Sequence, residues 1–411
     1  MSEYKKRIKC AICGNEKLFT IVDYGDVPLA GHFPKKEELN NIKKYNLGLQ
    51  YCPNCHLMQT NSIVDASFLF KDYRYMSSVS LQRHFNEYSK YLIERFKLNG
   101  ESKVLEIGSN DGVLLKPLMN LGINPIGIDP SENISQMAIN KGCTVIVDFF
   151  NYNNAKMMFE ENSFDLITAS NTFAHIDNIH SVVKAINFCL KKNGNFIFEV
   201  HYGKNIIEEL QYDNIYHEHL YYYTIHALRN LFDQYDMTIV NVDEISLHSG
   251  SIRVTVANEK LKHLEKKILE EQLLGINNHG YYENFSERVY EHKTALVEML
   301  VELKKQGKTI GAYGASGRAN ILCNFAGIDN SLIDYIIDES PERQNRFINN
   351  IPILSPDNLN QDTDYILIFA WNYSKMIMSK LVDKYDFTYI IPFPIIRKVS
   401  HMDEIDNINS L

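Results

Sequence analysis

The 411-residue chain is long enough for two or three domains with a sizeable core. Its 45% hydrophobic and 23% charged residues are ordinary for a soluble globular protein, and no apolar run reaches the length that spans a bilayer. The net charge of -9 and the pI near 5.9 argue against nucleic acid as the main partner, because polyanion binding depends on basic surface. The first residues, MSEYKKRIKC, lack the apolar core of a signal peptide, so we expect a cytoplasmic protein with no membrane partner.

Four of the seven cysteines form two CxxC pairs near the N-terminus, Cys10 with Cys13 and Cys52 with Cys55. Thiolates at this spacing are the usual ligands of structural zinc, and four of them leave no open coordination position for catalysis. A redox pair would explain one CxxC but not two. The spacing therefore predicts a zinc-binding domain over residues 1–75, in which Zn²⁺ holds the fold together.

Strand-like and helix-like segments alternate over residues 76–250. The strand and glycine turn KVLEIGSNDG are followed by four further strands, NPIGIDPS, TVIV, FDLITAS and GNFIFEV, with helix-length stretches between them. This alternation predicts an α/β domain with a parallel, doubly wound sheet and a ligand at the carboxyl ends of the strands. Asp129, after the second strand, suits the hydroxyl groups of a ribose.

The turn GSNDG does not have the GxGxxG spacing of a dinucleotide site. It resembles the first motif of class I S-adenosylmethionine (SAM) methyltransferases, E/DxGxxxG, and this resemblance implies SAM rather than NAD as the cofactor. The domain would then have the Rossmann-like fold of those enzymes, with Asp129 at the ribose. The cofactor-binding residues that the resemblance implies are Glu106, Gly108, Asn110, Gly112, Asp129, Asp148, Phe149 and Asn171.

The segment 212–224, YDNIYHEHLYYYT, concentrates proton-handling side chains. Tyr216, His217, Glu218 and His219 place a phenol, two imidazoles and a carboxylate on consecutive residues. A histidine with the ordinary pKa of about 6.5 is a natural base at neutral pH, and a neighbouring carboxylate can hold it in one tautomer. A polar surface loop is the alternative interpretation, but the position between two nucleotide-type units favours catalysis.

A second Rossmann-like α/β domain is predicted over residues 251–411, after a charged amphipathic stretch at 259–305. It begins with KTIGAYGASG and continues through a helix to a strand that ends in Asp338. Glycine amides at a helix N-terminus, followed by an arginine, are typical of a phosphate-binding site, whereas a tight turn without a ligand is the alternative. The predicted substrate-binding residues of this turn are Gly314, Ser316, Gly317 and Arg318.

The order of the motifs resembles that of a known family. The two CxxC pairs, YRYMSS, VLEIGSNDG, NTFAHI, EVHYG, IYHEHLYYYT and YGASGRANILCN cover nearly the whole chain. In this order they resemble the C-methyltransferases of deoxysugar biosynthesis, of the tetronitrose and noviose type. His201 is a departure, because EVPY is commoner than EVHY in this family.

The resemblance implies methyl transfer to C3 of a nucleotide-linked 4-keto-6-deoxy sugar that carries dTDP, or alternatively GDP or CDP. His219 would be the base that removes the C3 proton. The other residues that the resemblance assigns are Glu218 and Tyr216, which would position the base or the sugar, His175, which would contact the substrate, and Tyr75, or alternatively Tyr73, near the reacting carbon. We expect the three packed domains to work as a monomer.

Three other functions share parts of this pattern. A nucleotide-sugar O-methyltransferase needs the same SAM fold but no ketone in its substrate. An RNA methyltransferase with a zinc domain is disfavoured by the acidic pI and by the second nucleotide-type domain. A nucleotide-sugar-binding protein without activity is the non-enzyme alternative.

Overall fold

The computed structural model describes residues 3–70, 77–262 and 264–400, which form three α/β units. The N-terminal unit has two small antiparallel sheets, one that pairs its first and fifth strands and one whose fourth strand comes from the middle of the chain. Its elements are β1 (Tyr4–Lys6), β2 (Phe19–Val27), β3 (Tyr45–Tyr51), β4 (Met58–Thr60), β5 (Ser62–Val64) and α1 (Ala66–Phe70).

The middle unit is built on the doubly wound sheet that the alternating pattern predicts. Its central strands VLEI and FDLITAS are almost wholly buried, as expected for parallel strands with helices on both faces. Its elements are α2 (Ser77–Phe96), β6 (Val104–Ile107), α3 (Leu115–Asn120), β7 (Ile126–Ile128), α4 (Glu132–Asn140), β8 (Thr144–Ile146), α5 (Tyr152–Met158), β9 (Phe164–Ser170), α6 (Ile179–Cys189), β10 (Leu190–His201), α7 (Gly203–Glu208), β11 (Tyr221–Tyr222), α8 (Ile225–Phe232), β12 (Thr238–Ile245) and β13 (Ser251–Ala257).

The order of this seven-stranded sheet is β12-β13-β10-β9-β6-β7-β8. β6 to β10 are parallel, whereas β13 runs antiparallel to both of its neighbours. The sheet therefore extends to Ala257, past the domain boundary predicted at residue 250, because β12 and β13 form a hairpin whose second strand inserts beside β10. β11 does not belong to this sheet and is instead the fourth strand of the N-terminal one.

The C-terminal unit has a second sheet, of order β16-β17-β15-β14-β18-β19-β20, with a parallel centre. The charged stretch before it forms two helices that are separated at Gly275. The elements are α9 (Glu265–Leu274), α10 (His279–Lys305), β14 (Ile310–Tyr313), α11 (Gly317–Ala326), β15 (Tyr335–Ile337), β16 (Phe347–Ile348), β17 (Ile351–Leu354), β18 (Tyr365–Ile368), α12 (Ser374–Leu381), β19 (Thr388–Ile391) and β20 (Arg397–Val399).

The hydrophobic cores cross the boundaries between units. One buried cluster joins Val22 and Leu49 of the N-terminal unit to Leu296 of α10 and Ile336 of the C-terminal sheet. A second cluster joins the cysteine-bearing turns to the middle sheet. No helix within the described ranges combines the length and the apolarity that crossing a membrane requires.

The four paired cysteines converge on one point. Cys10 and Cys13 lie in the turn between β1 and β2, and Cys52 and Cys55 lie in the turn between β3 and β4. Their Sγ atoms are all within 4.8 Å of one another, and three of the four side chains are buried. Zn–S bonds of about 2.3 Å in a tetrahedron place thiolates roughly 3.8 Å apart, so these four thiols fit the predicted structural ion.

We expect removal of zinc to destabilise the protein, because without it four clustered thiols are left at the edge of a shared core. The purified protein should contain about one Zn²⁺ per chain, and a strong chelator should lower its melting temperature. Cys13→Ser should reduce the zinc content, whereas Cys143→Ala, a change at a buried cysteine outside the cluster, should preserve it. A folded protein without zinc and with an unchanged melting temperature would contradict the assignment.

Candidate active site

The segment 212–224 passes between the three units and is fixed by all of them. At its end, β11 pairs with β4 of the N-terminal sheet. Just before β11, Leu220 N donates to the Ala174 carbonyl of the middle unit at 2.9 Å, and the Leu220 carbonyl accepts from Thr60 N at 3.0 Å. The YHEH tetrad is thus held on a short loop between two sheets.

The start of the segment is tied to the C-terminal unit by a buried ion pair. Asp213, which is 1% exposed, accepts from Arg318 Nε at 3.0 Å and Nη2 at 2.8 Å, and from Trp371 Nε1 at 2.9 Å. The Arg318 guanidinium also lies over the Trp371 ring, 4.6 Å from its centroid. Such a bidentate ion pair fixes the orientation of the two side chains as well as the distance between them. It therefore orients the loop before Tyr216.

The tyrosine run after the tetrad is structural. The Tyr222 hydroxyl donates to the Asn214 carbonyl at 3.0 Å and accepts from Tyr216 N at 3.2 Å. The Tyr221 hydroxyl donates to the Asp177 carbonyl at 2.6 Å. Burial raises the pKa of Tyr221 to about 12 and that of Tyr222 well above its ordinary value, so both stay protonated and act as anchors rather than bases.

His219 lies within a row of four histidines at the carboxyl edge of the middle sheet. Its ring centroid is 4.9 Å from that of His175, in the turn after β9, and 4.9 Å from that of His201, the last residue of β10. His248, in the turn between β12 and β13, stacks on His201 with centroids 5.6 Å apart. The topology therefore gathers four imidazoles that are far apart in the sequence.

These histidines are neutral at pH 7. Burial lowers the pKa of His219 well below its ordinary value, and the neighbouring His201 and His175 lower it further, although the Asn214 backbone opposes them. Burial also lowers the pKa of His175 and that of His248 to about 4. Each ring therefore keeps one unprotonated nitrogen across the neutral range.

Tyr216, rather than Glu218, hydrogen-bonds to the predicted base. The Tyr216 hydroxyl lies 3.0 Å from His219 Nε2. The Glu218 carboxyl is buried beside the Gly31 backbone, and burial raises its pKa to about 7. His217 faces Tyr45, with ring centroids 5.9 Å apart. The order in the sequence did not reveal these directions, because the tetrad forms a turn, closed by a hydrogen bond from His219 N to the Tyr216 carbonyl at 3.0 Å, that sends its side chains to different sides.

The predicted cofactor residues lie at the carboxyl edge of the same sheet, Glu106 within β6 and the others in the turns after β6, β7, β8 and β9. Asp129 accepts from Asn110 N at 3.0 Å and from Ser131 N at 2.9 Å, which closes the first turn. Phe149, one of the predicted cofactor-binding residues, is exposed. The turn after β6 contains Gly108 and Gly112. In the turn after β8, Asp148 directly precedes Phe149.

Two buried polar atoms test whether this edge fits SAM. Glu106 is 2% exposed, and its Oε2 has no partner among the described residues. Asn171 Oδ1 is also buried without a partner there. Unpaired buried acceptors at a nucleotide-type edge fit a ligand that brings hydroxyl and ammonium donors, as the ribose and amino acid parts of SAM do.

The glycine turn of the C-terminal unit has a structural explanation at every residue predicted to bind phosphate. A Cβ at Gly314 would lie 2.7 Å from Ala370 Cβ, and one at Gly317 would lie 3.1 Å from Ala30 Cβ. Ser316 Oγ caps α11 by accepting from Ala319 N at 3.2 Å. Arg318 is engaged with Asp213, as described above. Contact of these residues with a substrate stays a prediction.

Sequence reasoning missed several residues of this site. Asp213 and Trp371 gave no signal beyond their types, and His248 stands outside every motif. His201 was visible only as a departure from a family pattern. The predicted Tyr75 and its alternative Tyr73 lie outside the described residues.

The sheet order and the residues at its carboxyl edge define a class I SAM-dependent methyltransferase. Three family models match the chain in order, a zinc binding domain over residues 10–70, a methyltransferase domain over 81–242 and a C-methyltransferase C-terminal domain over 246–394. Together, the three matches follow the domain order of the C-methyltransferases that the motif order resembles. Its cofactor is SAM, and its structural ion is Zn²⁺.

Relatives agree with this assignment. The C-methyltransferase NovU of Streptomyces niveus is 27% identical over 95% of this chain and 97% of its own length. The uncharacterized methyltransferase OB1106 of Oceanobacillus iheyensis is 30% identical over 33% of this chain and 61% of its own length. The similarity to NovU spans all three units. The predictions of an α/β fold and of a C-methyltransferase are therefore confirmed.

We expect Arg318→Ala to destabilise the protein by about 3–5 kcal/mol, because it leaves the buried Asp213 carboxylate without its cation. Urea unfolding measures this change, and calorimetry should show that SAM affinity is retained. Arg83→Ala is the matched control, since the pair between exposed Arg83 and Glu87 contributes less than about 1 kcal/mol. Equal effects of the two changes would show that the Asp213 pair does not hold the loop.

Proposed function

We propose that the enzyme transfers the SAM methyl group to C3 of a nucleotide-linked 4-keto-6-deoxy sugar, with dTDP, GDP or CDP as the nucleotide. The observation that carries this proposal is the buried, neutral His219 at the carboxyl edge of the SAM-type sheet, with Nε2 3.0 Å from the Tyr216 hydroxyl. The similarity to the C-methyltransferase NovU over nearly the whole chain supports it.

The chemistry requires a base and a partner for the anion. A carbon next to a ketone loses a proton only because its anion delocalises onto the oxygen, so a donor near that oxygen lowers the barrier. His219 accepts the C3 proton, and the pair of electrons from the C–H bond enters the enolate. Tyr216 orients the imidazole through Nε2, and its phenol is a donor beside the reacting centre.

The remaining residues bind and orient the two reactants. When bound, SAM supplies an electrophilic methyl group, and the enolate carbon forms the new C–C bond as the C–S bond breaks. Glu106, Asp129 and Asn171 would hold SAM at the sheet edge, and His175, 4.9 Å from His219, would contact the sugar. Close positioning of the reactants in a dry site contributes a large part of such rate enhancements.

The catalytic groups named here come from one chain, and the three units share their cores. We therefore propose that the enzyme acts as a monomer. The acidic charge balance and the nucleotide-sugar substrate are consistent with work in the cytoplasm rather than on nucleic acid.

We expect His219→Asn to lower methyl transfer by about 10²–10⁴-fold while SAM affinity is preserved, because only the base is removed. The assay is carbon NMR of the product formed from methyl-labelled SAM and a panel of nucleotide-linked 4-keto sugars. His32→Asn, at an exposed histidine of the N-terminal unit, is the matched control.

The position of the label distinguishes the alternatives. A label on a quaternary sugar carbon supports C-methylation and identifies the nucleotide sugar. A label on oxygen would make the enzyme a nucleotide-sugar O-methyltransferase. Near-normal turnover of His219→Asn would refute the assigned role of the base.

We expect turnover to persist as the pH falls through 6.5, because the pKa of His219 lies well below this ordinary value and its neutral form is the acceptor. The acid limb of the pH profile of kcat should therefore lie below pH 6.5. Circular dichroism at each pH would exclude unfolding as the cause of lost activity. A limb centred at or above pH 6.5 would contradict the burial argument.

A further inference from the structure

The proton that His219 removes from the substrate must have a route out of the site. Methylation replaces the hydrogen on carbon, so one proton must leave the site in each catalytic cycle. His219 is 6% exposed, and the Tyr216 hydroxyl contacts its Nε2. Direct release to bulk water is therefore hindered, and a buried base that keeps its proton cannot start another cycle.

We propose that His201 and His248 form a proton relay from His219 to the rim of the site. The inference rests on the proposed function of His219 as the base. It gives a role to His201, which departs from the family pattern, and to His248, which lies outside every motif.

His201 has the position that a relay residue needs. Its ring centroid is 4.9 Å from that of His219 and 5.6 Å from that of His248, so it stands between them. It is 8% exposed, and its ring nitrogens make no hydrogen bond within the described ranges, although buried polar side chains normally do. Both nitrogens are thus available, one to receive a proton and the other to release it.

His248 is presented to His201 by an unusual turn. His248, Ser249 and Gly250 have φ of 51°, 66° and 108°, which is rare for consecutive residues that are not all glycine. A Cβ at Gly250 would also lie 2.1 Å from Asn205 Nδ2, so glycine is required there. This turn stacks His248 on His201 with an interplanar angle of 29°. Strained backbone of this kind concentrates at functional sites.

The charges around the row favour passage of one proton at a time. Burial lowers the pKa of His201 well below its ordinary value, and nearby His248, Arg318 and His175 lower it further, so a resting charge on this ring is disfavoured. Two neighbouring imidazoles cannot both be charged at low cost, so a proton that enters the row moves on.

A nearby carboxylate acts electrostatically on the far end of the row. Glu199 favours a charge on His248, whereas Arg318 and His84 oppose it. Glu199 itself pairs with Arg253, and its Oε2 is 2.8 Å from Nε2 of His84, a side chain that is 22% exposed. The row therefore ends at His248, near a carboxylate that hydrogen-bonds to the partly solvated His84.

The transfer balances without any further reactant. The C3–H bond breaks, its electron pair stays on the sugar as the enolate, and the proton binds His219. That proton passes to the unprotonated nitrogen of His201 through water between the rings, because no direct hydrogen bond joins the rings within the described ranges. His201 releases its other proton to His248 in the same way, and His248 releases one to water. No ring is oxidised or reduced, and each returns to neutrality. Within the described residues, the four thiols are the group whose ligand atoms lie close enough together to hold a metal ion.

The test compares a single catalytic cycle with many cycles in His201→Phe, which keeps an aromatic ring but cannot carry a proton. We expect rapid-quench measurements with enzyme in excess to give a first cycle within about twofold of wild type, while steady-state turnover falls about tenfold or more. His248→Phe should behave in the same way, and added imidazole should restore turnover of both variants. Melting temperatures verify that the variants are folded.

Hydrogen exchange gives a readout that is independent of methyl transfer. With S-adenosylhomocysteine in place of SAM, the wild-type enzyme in D₂O should exchange the C3 hydrogen of the keto sugar, which proton NMR follows. His201→Phe should slow this exchange, because the proton held on His219 returns to C3 before it reaches solvent.

The outcomes separate the relay from the proposed function. Equal losses in the first cycle and in steady state would mean that His201 acts on the substrate or on the chemical step, and would overturn the relay. Unchanged turnover and exchange in both variants would overturn it as well. A wild-type enzyme that neither methylates nor exchanges any keto sugar would instead refute the proposed function.

Discussion

The structure depends on one segment, 212–224, that belongs to all three units. Its strand completes the N-terminal sheet, its Asp213 binds the C-terminal Arg318, and its loop hydrogen-bonds to the middle unit. These contacts fix the tetrad from several directions, so little conformational entropy remains to be lost when substrates bind. The zinc ion lies at the turns that connect the strands beside this segment. A structural metal thus supports the loop that carries the tetrad.

Burial of several histidines gives the site its chemical character. Each imidazole that packs against another makes protonation of both more costly, and the low-polarity surroundings add to this cost. The result is a set of neutral acceptors where separate, exposed histidines would be partly charged. The same burial keeps the neighbouring tyrosines as phenols, which divides the aromatic polar groups of the segment into bases and anchors.

The sequence predicted those features that local patterns encode. Alternating strands and helices, the two CxxC pairs and the glycine turn after β6 led to the fold, the zinc site and the SAM edge. The sequence could not predict contacts between residues that are far apart in the chain. The glycine turn before Arg318 has the pattern of a phosphate site, yet Ala30, Ala370 and Asp213 occupy its surroundings. Likewise, a hairpin strand that inserts beside β10 carried the middle sheet past residue 250.

The pairing of β11 with β4 also affects how the chain folds during synthesis. The N-terminal sheet lacks its last strand until Tyr222 has left the ribosome, although its first three strands and its cysteines emerge long before. An unpaired edge strand is a template for wrong association, and domains generally fold as they emerge. The nascent N-terminal unit must therefore remain with one edge of β4 unpaired while β6 to β10, the parallel strands of the middle sheet, are synthesised. Early capture of zinc by the adjacent turns would keep that edge in a single conformation during the delay.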